Sequence, residues 1–358
     1  MKALILSGGK GSRLRPLTHT SAKQLLPIAN KPIIYYGIES IAAAGIKEFA
    51  IIVGETAKDV MREVGDGGRW GINITYIHQD RPLGLAHAVK ISKDYMKDES
   101  FIMYLGDNMI KEGIPQLVEK FKAGKPNSLI LLTKVSNPRQ FGVAELDASG
   151  KIVKLIEKPE QTTSDLALVG VYLFDKNIFK AVDSIKPSAR GELEITDAIS
   201  WLLEKGYKVE HHVVTGWWKD TGKPSDILEA NQLILNSQVS NIKGSVDKSS
   251  DVSGNIVLEE GSKIENSTVR GPVVIGKNSR ISDSYIGPFT SISNSVVIEK
   301  SEVENSIIME GCRIEGIDRR IGESILGKEV ILVSRRDAPP GRLYHQLILG
   351  DKSEVMLA

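Results

Sequence analysis

Cysteine is nearly missing from this chain. Cys312 stands alone among 358 residues, so no internal disulfide can form, and the composition favours a reducing, cytoplasmic setting. Long apolar runs are missing too. Nothing approaches the ~20 residues of a membrane helix, and the opening Ala3–Leu6 is too short for the apolar region of a secretory leader. Neither sign of charge is in excess: the formal net charge is +1, which leaves no global field to recruit nucleic acid or a membrane surface. Common catalytic signatures are absent as well. There is no His-Glu-x-x-His, no Cys/His metal spacing and no Ser-His-Asp arrangement. His211 and His212 fall in a strand-like stretch and read as structural.

What is present falls into two rhythms, and the length exceeds one ordinary core. We place a catalytic domain at 1–238 and a second domain at 239–358. In the first, short β-rich apolar runs (Ala3–Leu6, Phe49–Val53, Ile74–Ile77, Phe101–Leu105, Leu129–Thr133) alternate with helical stretches (Pro32–Ala44, Ala57–Val64, Leu85–Met96, Ile114–Lys122). Strands apolar on both faces and separated by helices imply a parallel sheet covered on both sides, an α/β doubly wound, Rossmann-like fold. Gly142–Leu146, Lys151–Glu157 and Leu166–Phe174 read as an antiparallel insert at one edge, and Leu193–Leu203 and Pro224–Leu235 as helices.

After about residue 240 the period changes. Ile275, Ile281, Ile286, Ile292, Val297, Val303, Ile308 and Ile314 recur in steps of five or six, with small and polar residues between them. Alternation would give steps of two and a helix 3.6; a step near six is the hexapeptide β-helix signature, three short strands making a coil of roughly 17 residues. A β-sandwich of short strands is the competing reading, and the regularity of the steps counts against it. Pro339 and Pro340 break the pattern, and Gly341–Ala358 is expected to form a terminal cap or arm.

The stretch LILSGGKGSRLRPLT, residues 4–18, suggests phosphate, because backbone N–H groups exposed by glycines cradle anions. It is not a P-loop: five residues after Gly8 stands Arg13, and five after Gly9 stands Leu14. It is not a dinucleotide fingerprint, since Gly9 and Gly11 are followed by Leu14 at the third position. A tight turn after a first strand stays open on the glycines alone. The cations favour a ligand: Lys10, Arg13, Arg15, Lys23 and Lys31 suit a polyphosphate. Elsewhere, Asp107 closes an apolar strand at the end where ligands bind in open α/β sheets. Asp107 and Asp220 read equally as turn residues, Gln79 as a solvated loop residue, and Glu157 and Lys158 as exposed charges at a strand end.

Taken together, LSGGKGSRLRPLTHTSAKQLLPIANKPIIYY resembles the N-terminal signature of the sugar-1-phosphate nucleotidylyltransferases. GLAHAV (84–89), LGDN (105–108), FGV (141–143), EKP (157–159), GVYLFD (170–175), GELEITDAI (191–199) and WKDTG (218–222) follow in the same order. The Lys23-Gln24 pair before Leu-Leu-Pro is similar to the thymidylyl branch, and the added β-helix is similar to its long form, in which that helix is left-handed.

The resemblance implies transfer from dTTP to glucose 1-phosphate with release of pyrophosphate. It implies Mg²⁺ held by Asp107 and Asp220. Arg13, Lys23 and Asp107 would be catalytic. Leu6, Gly8, Gly9, Gly11, Ser12, Arg13, Gln24, Gln79 and Gly84 would hold the nucleotide, with Gln79 reading the pyrimidine edge. Gly142, Glu157, Lys158 and Val169 would hold the sugar phosphate; Asp197 would support the site. A homo-oligomer is expected, the β-helix serving assembly or regulation. UTP-dependent uridylyl transfer is one alternative. An acetyltransferase site on the β-helix is another, disfavoured because 242–333 contains no histidine and His345 lies in the tail. A regulatory protein that lost the chemistry is the third, against which Arg13, Lys23, Asp107 and Asp220 all stand.

Overall fold

The computed structural model describes residues 1–9, 11–111, 113–334, 344–345 and 347–357. In chain order the elements are β1 (Lys2–Ser7), β2 (Pro27–Ile28), β3 (Lys31–Pro32), α1 (Ile33–Ala43), β4 (Glu48–Val53), α2 (Ala57–Val64) and β5 (Asn73–His78). There follow α3 (Leu85–Ile91), α4 (Lys93–Met96), β6 (Phe101–Leu105), β7 (Asn108–Ile110), α5 (Ile114–Gly124), β8 (Ser128–Lys134), β9 (Gly142–Leu146), β10 (Ile152–Glu157) and β11 (Leu166–Phe174). Then come α6 (Ile178–Ser184), α7 (Ile195–Glu204), β12 (Val209–Val213), β13 (Trp218–Asp220) and α8 (Pro224–Leu235), and only short strands after that. Contacts divide the chain into two compact units. One comprises Met1–Lys10 and Ile34–Asp220, the other Gly11–Ile33 and Thr221–Ala358.

The first unit is built on a mixed sheet in the order β10-β9-β11-β6-β1-β4-β5, with β8 against β11 and β12 against β8. β1 runs parallel to both β4 and β6, and Ala3, Leu4 and Ile5 are fully buried. That burial is the reason a short apolar run with no alternation becomes a central strand. The expected edge insert is corrected in one respect. β9 and β10 do form an outer hairpin, but β11 lies inside the sheet, antiparallel to β6 and β8. Every residue of LALVGVYLF after the first is buried, and such a strand needs neighbours on both edges. The helix expected over Leu85–Met96 breaks at Ser92, whose hydroxyl donates to the Val89 carbonyl at 2.7 Å in competition with the helix ladder.

The second unit holds three parallel sheets of very short strands, the prism of a left-handed β-helix. Its core is three stacked columns. One runs Ile264, Ile281, Ile298, Ile314 and Leu332; another Val269, Ile286, Val303 and Ile321; the third Leu258, Ile275, Ile292, Ile308 and Leu326. All are fully buried. One expected inward position is corrected: Val297 is half-buried, and Ile298 takes the column because it pairs with Ile281. The tail takes the cap form of the two that were expected. Tyr344–His345 pairs with Arg320–Ile321, Ile348–Leu349 with Ile325–Leu326, and Glu354–Leu357 with Ile331–Ser334. It adds a last coil to all three sheets rather than projecting as an arm, and it puts His345 in the stack. Pro339 and Pro340 lie outside the described residues.

The N-terminal segment of this unit is fastened to the coils by polar bonds. The β2–β3 hairpin and α8 share a small apolar cluster, Ala29 and Leu235 with Val274. Asn231 of α8, fully buried, accepts from the Ala29 N–H at 2.8 Å and from the Ser291 hydroxyl at 3.0 Å, and donates to the Phe289 carbonyl at 3.0 Å. Asn30 donates to the Ile292 carbonyl at 2.6 Å, and Thr20 donates to Asp351 at 2.7 Å.

Candidate active site

In the first unit, β1 delivers the glycine loop. Leu6 sits between Ile52 and Leu105, and its carbonyl accepts from the Gly106 N–H at 2.9 Å. Gly8 follows so close to Gln79 that a Cβ on it would come within 3.0 Å of Oε1. The fold therefore brings two expected nucleotide residues together. Gly9 is exposed, and Lys10 lies outside the described residues.

In the second unit the loop continues. Gly11 has φ +61°, a left-handed conformation that opens the single turn Ser12–Leu14, and Thr18 donates to its carbonyl at 2.7 Å. Ser12, Arg13 and Arg15 are exposed. The Arg13 guanidinium lies against Gly222: a Cβ there would meet Nη2 at 2.9 Å. The glycine of WKDTG thus makes room for Arg13, a relation the sequence does not reveal. Lys23 is half-buried beside Gly11. Gln24 is 1% exposed, and its Oε1 has no hydrogen-bond partner. A buried, unmatched acceptor of this kind is costly unless a ligand satisfies it.

The two carboxylates expected to hold metal stand 113 positions apart in sequence. β13 pairs antiparallel with β7 in a register that sets Asp220 opposite Asn108, next to Asp107. Asn108 organises the surroundings. Its Nδ2 donates to Asp107 Oδ1 at 3.1 Å, its Oδ1 accepts from the Trp218 indole at 2.7 Å and from the Gly170 N–H at 3.2 Å, and its carbonyl accepts from the Tyr104 hydroxyl at 2.9 Å. A Cβ on Gly170 would fall 2.5 Å from Asn108 Oδ1, so β11 must carry glycine there. Val169 beside it is fully buried in the irregular part of β11. Asp107, itself 7% exposed, gains a fixed direction from Asn108. Two carboxylates carried on backbone that this pairing brings together are a fitting protein donor set for a hard cation whose other positions are filled by water and phosphate oxygens.

Gln79 follows β5, its N–H bonded to the Val53 carbonyl at 2.9 Å. Its side-chain Nε2 lies 3.0 Å from His87 Nδ1 and 3.4 Å from the Gly84 carbonyl. Gly84 has φ +102°, and a Cβ on it would overlap the Leu193 carbonyl. No other residue fits, so this glycine has a structural reason to exist beside any contact with a base.

In the outer hairpin of the same unit, Glu157 pairs in register with Gly142. Its Oε2 accepts from Thr196 Oγ1 at 2.7 Å and its Oε1 from Arg190 at 3.3 Å; Lys158 Nζ lies 4.0 Å from Oε1. A Cβ on Gly142 would sit 2.6 Å from Thr196 Oγ1, so the glycine opens the space in which Glu157 is held. Burial, then the charge of Glu194, raises the Glu157 carboxyl above the usual range, while the Thr196 bond, Lys158 and Arg190 oppose this. Asp197 is likewise raised by burial and then by Glu194. Glu194 and Thr196 come from GELEITDAI and Arg190 stands immediately before it, and only their spacing around an acid-rich helix start signalled them. Phe141, beside Gly142, meets Trp218 edge to face with centroids 5.4 Å apart. Through Trp218 and Asn108 this hairpin is joined to the carboxylate pair.

A family model described as nucleotidyl transferase matches residues 2–237. The chain belongs to the nucleotidyl transferase family. Two relatives extend the match over the β-helix. A glucose-1-phosphate thymidylyltransferase of Streptomyces griseus is 50% identical over all of both chains, and one of Streptomyces antibioticus is 52% identical over 99% of each. Among solved structures, a putative glucose-1-phosphate thymidylyltransferase from Bacillus anthracis, crystallised with a sucrose, superposes with a TM-score of 0.62 at 38% identity. It covers 65% of this chain and 94% of that one. For this nucleotidyl transferase the match accounts for the elements that carry Gln79, Asp107, Glu157 and Asp220. No helix among the described residues is long and apolar enough to cross a membrane.

Proposed function

We propose that this nucleotidyl transferase moves a thymidylyl group from dTTP to glucose 1-phosphate, giving dTDP-glucose and pyrophosphate. The observation that carries the reading is the two relatives of that name, half identical to this chain along its whole length. We assign nucleotidyl transfer to 1–238 and assembly or regulation, as a homo-oligomer in the cytoplasm, to 239–358.

In the reaction an oxygen of the sugar phosphate attacks the α-phosphorus, and the bond to pyrophosphate breaks with its electron pair going to the leaving group. Little covalent chemistry is asked of the protein; it positions two polyanions and stabilises charge as it moves. Gly8, Gly9, Gly11 and Ser12 let the backbone approach the triphosphate. Arg13 meets the charge developing on the α-phosphate and leaving group, and Lys23 neutralises the oxygens around the α-phosphorus. Gln24 offers its unmatched Oε1 to the nucleotide sugar. Asp107 and Asp220 are the residues that would hold Mg²⁺, which when bound screens the phosphates from one another. Glu157 accepts from sugar hydroxyls, Lys158 pairs with the sugar phosphate, and Gly142 and Val169 complete the sugar-phosphate side of the site.

Gln79 reads the pyrimidine edge, donating to O4 and accepting from N3–H. This selects thymine or uracil over cytosine and leaves dTTP and UTP separated by one methyl and one hydroxyl, of which the methyl is worth roughly 10–200-fold. The test is kcat/KM for dTTP, UTP, CTP, ATP and GTP with glucose 1-phosphate, followed by pyrophosphate release. dTTP is expected first, UTP measurable, CTP and purines poor. UTP in first place would replace thymidylyl by uridylyl transfer, and a purine in first place would remove Gln79 from the base site.

A further inference from the structure

A glutamine amide offers one donor and one acceptor on two sides that differ by a half-turn. A 4-keto pyrimidine presents an acceptor at O4 and a donor at N3. Cytosine presents a donor at N4 and an acceptor at N3. Gln79 could match either, so something outside Gln79 must decide which way round its amide stands. The neighbour in place to do this is His87 on α3, whose Nδ1 lies 3.0 Å from Gln79 Nε2. Two nitrogens at that distance share one hydrogen. The amide nitrogen always brings it, so Nδ1 is the acceptor, and the neutral ring carries its proton on Nε2. Gln79 Oε1 is thereby turned to the Gly8 side, and the second amide hydrogen, directed at the Gly84 carbonyl over a long 3.4 Å, is the one a base O4 would take over.

We infer that His87 is a specificity-determining residue: when neutral it locks the Gln79 amide in the orientation for a 4-keto pyrimidine, and when protonated it turns the amide over toward a 4-amino one. The inference rests on the reading of Gln79 as the base contact. In the protonated ring both nitrogens donate, so Nδ1–H would face Nε2–H. Rotation of the amide replaces that clash with a bond from Nδ1–H to Oε1. The amide nitrogen then occupies the former place of Oε1, and the donor and acceptor offered to the base exchange positions.

The surroundings favour the neutral ring at physiological pH. Burial and Lys90, one turn further along α3, lower the His87 pKa, and Asp80 opposes them. The elements packed against α3 also carry Lys2, Lys93, Asp94, Lys180, Asp183, Asp197 and Glu204, several of them engaged elsewhere. Asp183 of α6 pairs with Lys90 and Lys93, Asp197 of α7 interacts with Glu194 and Arg190, and Lys2 of β1 pairs with Glu99. The switch therefore lies below the ordinary histidine range.

UTP and CTP test this directly, because they differ only at the edge in question. The full-length enzyme with glucose 1-phosphate is assayed for kcat/KM with each, between about pH 5.5 and 8. Ionisation of the triphosphate, metal loading and the sugar phosphate affect both alike and cancel in the ratio. The UTP-to-CTP ratio is expected to fall roughly tenfold toward the acid end, the worth of one hydrogen bond. In His87→Leu it should be about tenfold lower than wild type at pH 8 and independent of pH. A flat wild-type ratio overturns the inference even if the variant fails to fold. So does a His87→Leu enzyme with the wild-type ratio and slope. Gln79→Ala separates this from the base-site reading. A wild-type ratio in Gln79→Ala removes that reading, whereas a collapsed ratio there with an unaffected His87→Leu removes only the role of His87.

Discussion

Three side chains make separable demands on the chemistry. Arg13 is assigned to charge that grows in the transition state, so Arg13→Ala is expected to lower kcat by about 10²–10³ with a smaller effect on nucleotide binding; near-normal turnover would return it to a solvated surface role. Asp107→Asn and Asp220→Asn should each abolish metal-dependent turnover with the fold intact by circular dichroism. Wild-type activity at low Mg²⁺ in either would leave that carboxylate as a turn residue. Glu157 carries a pH signature. Its carboxyl is raised from 4.5, chiefly by burial, so the folded chain favours the protonated form. The stability this contributes is complete below the unfolded value and is lost as pH rises through the folded one. At neutral pH the ionised group is therefore a strain on folding. Glu157→Gln is expected to raise Tm near pH 7, with the gain shrinking toward pH 4, while KM for the sugar phosphate rises about 10–100-fold. A lower Tm at pH 7 would show that the bonds to Thr196 and Arg190 outweigh the desolvation.

At the scale of elements, the binding loop is held from behind. The β2–β3 hairpin lies at the end of the segment that bears Arg13, Lys23 and Gln24, and Asn231 of α8 links it to the β-helix with one bond to the hairpin and two to the coils. Asn231→Ala leaves the Ala29 N–H and Phe289 carbonyl buried without partners, at about 1–3 kcal/mol each. Denaturant titration should show that loss, and KM for the triphosphate should rise with it. Unchanged stability would mean the hairpin finds other partners. None of this was legible in the sequence, where Asn30 and Asn231 look like turn and surface residues. Apolar strands and helices were legible, because full burial on both faces writes an unbroken apolar run. The β-helix was legible from its step near six. β7 and β13 were not: three residues each, they are defined by each other, and their pairing is what sets Asp220 beside Asp107. The inward place of Ile298 over Val297 was equally hidden, since both are β-branched and only the register on Ile281 chooses. Gln79 and Glu157 came from the resemblance in sequence rather than from any local pattern, whereas Arg13 and Lys23 showed as cations on the glycine loop and took only their separate roles from the resemblance.

For the whole molecule, the family match ends at 237 while the contacts draw their line elsewhere, placing Gly11–Ile33 with Thr221–Ala358. A chain cut at 238 keeps every residue assigned to the reaction but bares Ala29 and Leu235, which the coils otherwise help to cover. It is expected to aggregate more readily in light scattering, and to retain detectable pyrophosphate release in its soluble fraction. A complete loss of activity in a monodisperse fragment would make the β-helix a required part of the catalytic machinery. His345, now placed in the coil stack, makes acetyl transfer worth assaying in the full-length protein; coenzyme-A-dependent product would give the β-helix a chemistry of its own. The bond from Thr20 to Asp351 spans 331 residues. On the ribosome, the loop that carries Arg13 emerges more than three hundred residues ahead of the aspartate that completes its backing. Contacts of such long range form late. A nascent chain is therefore expected to gain its sheet, and detectable turnover, before that bond forms, and the full rigidity of its binding loop only once the last coil is in place.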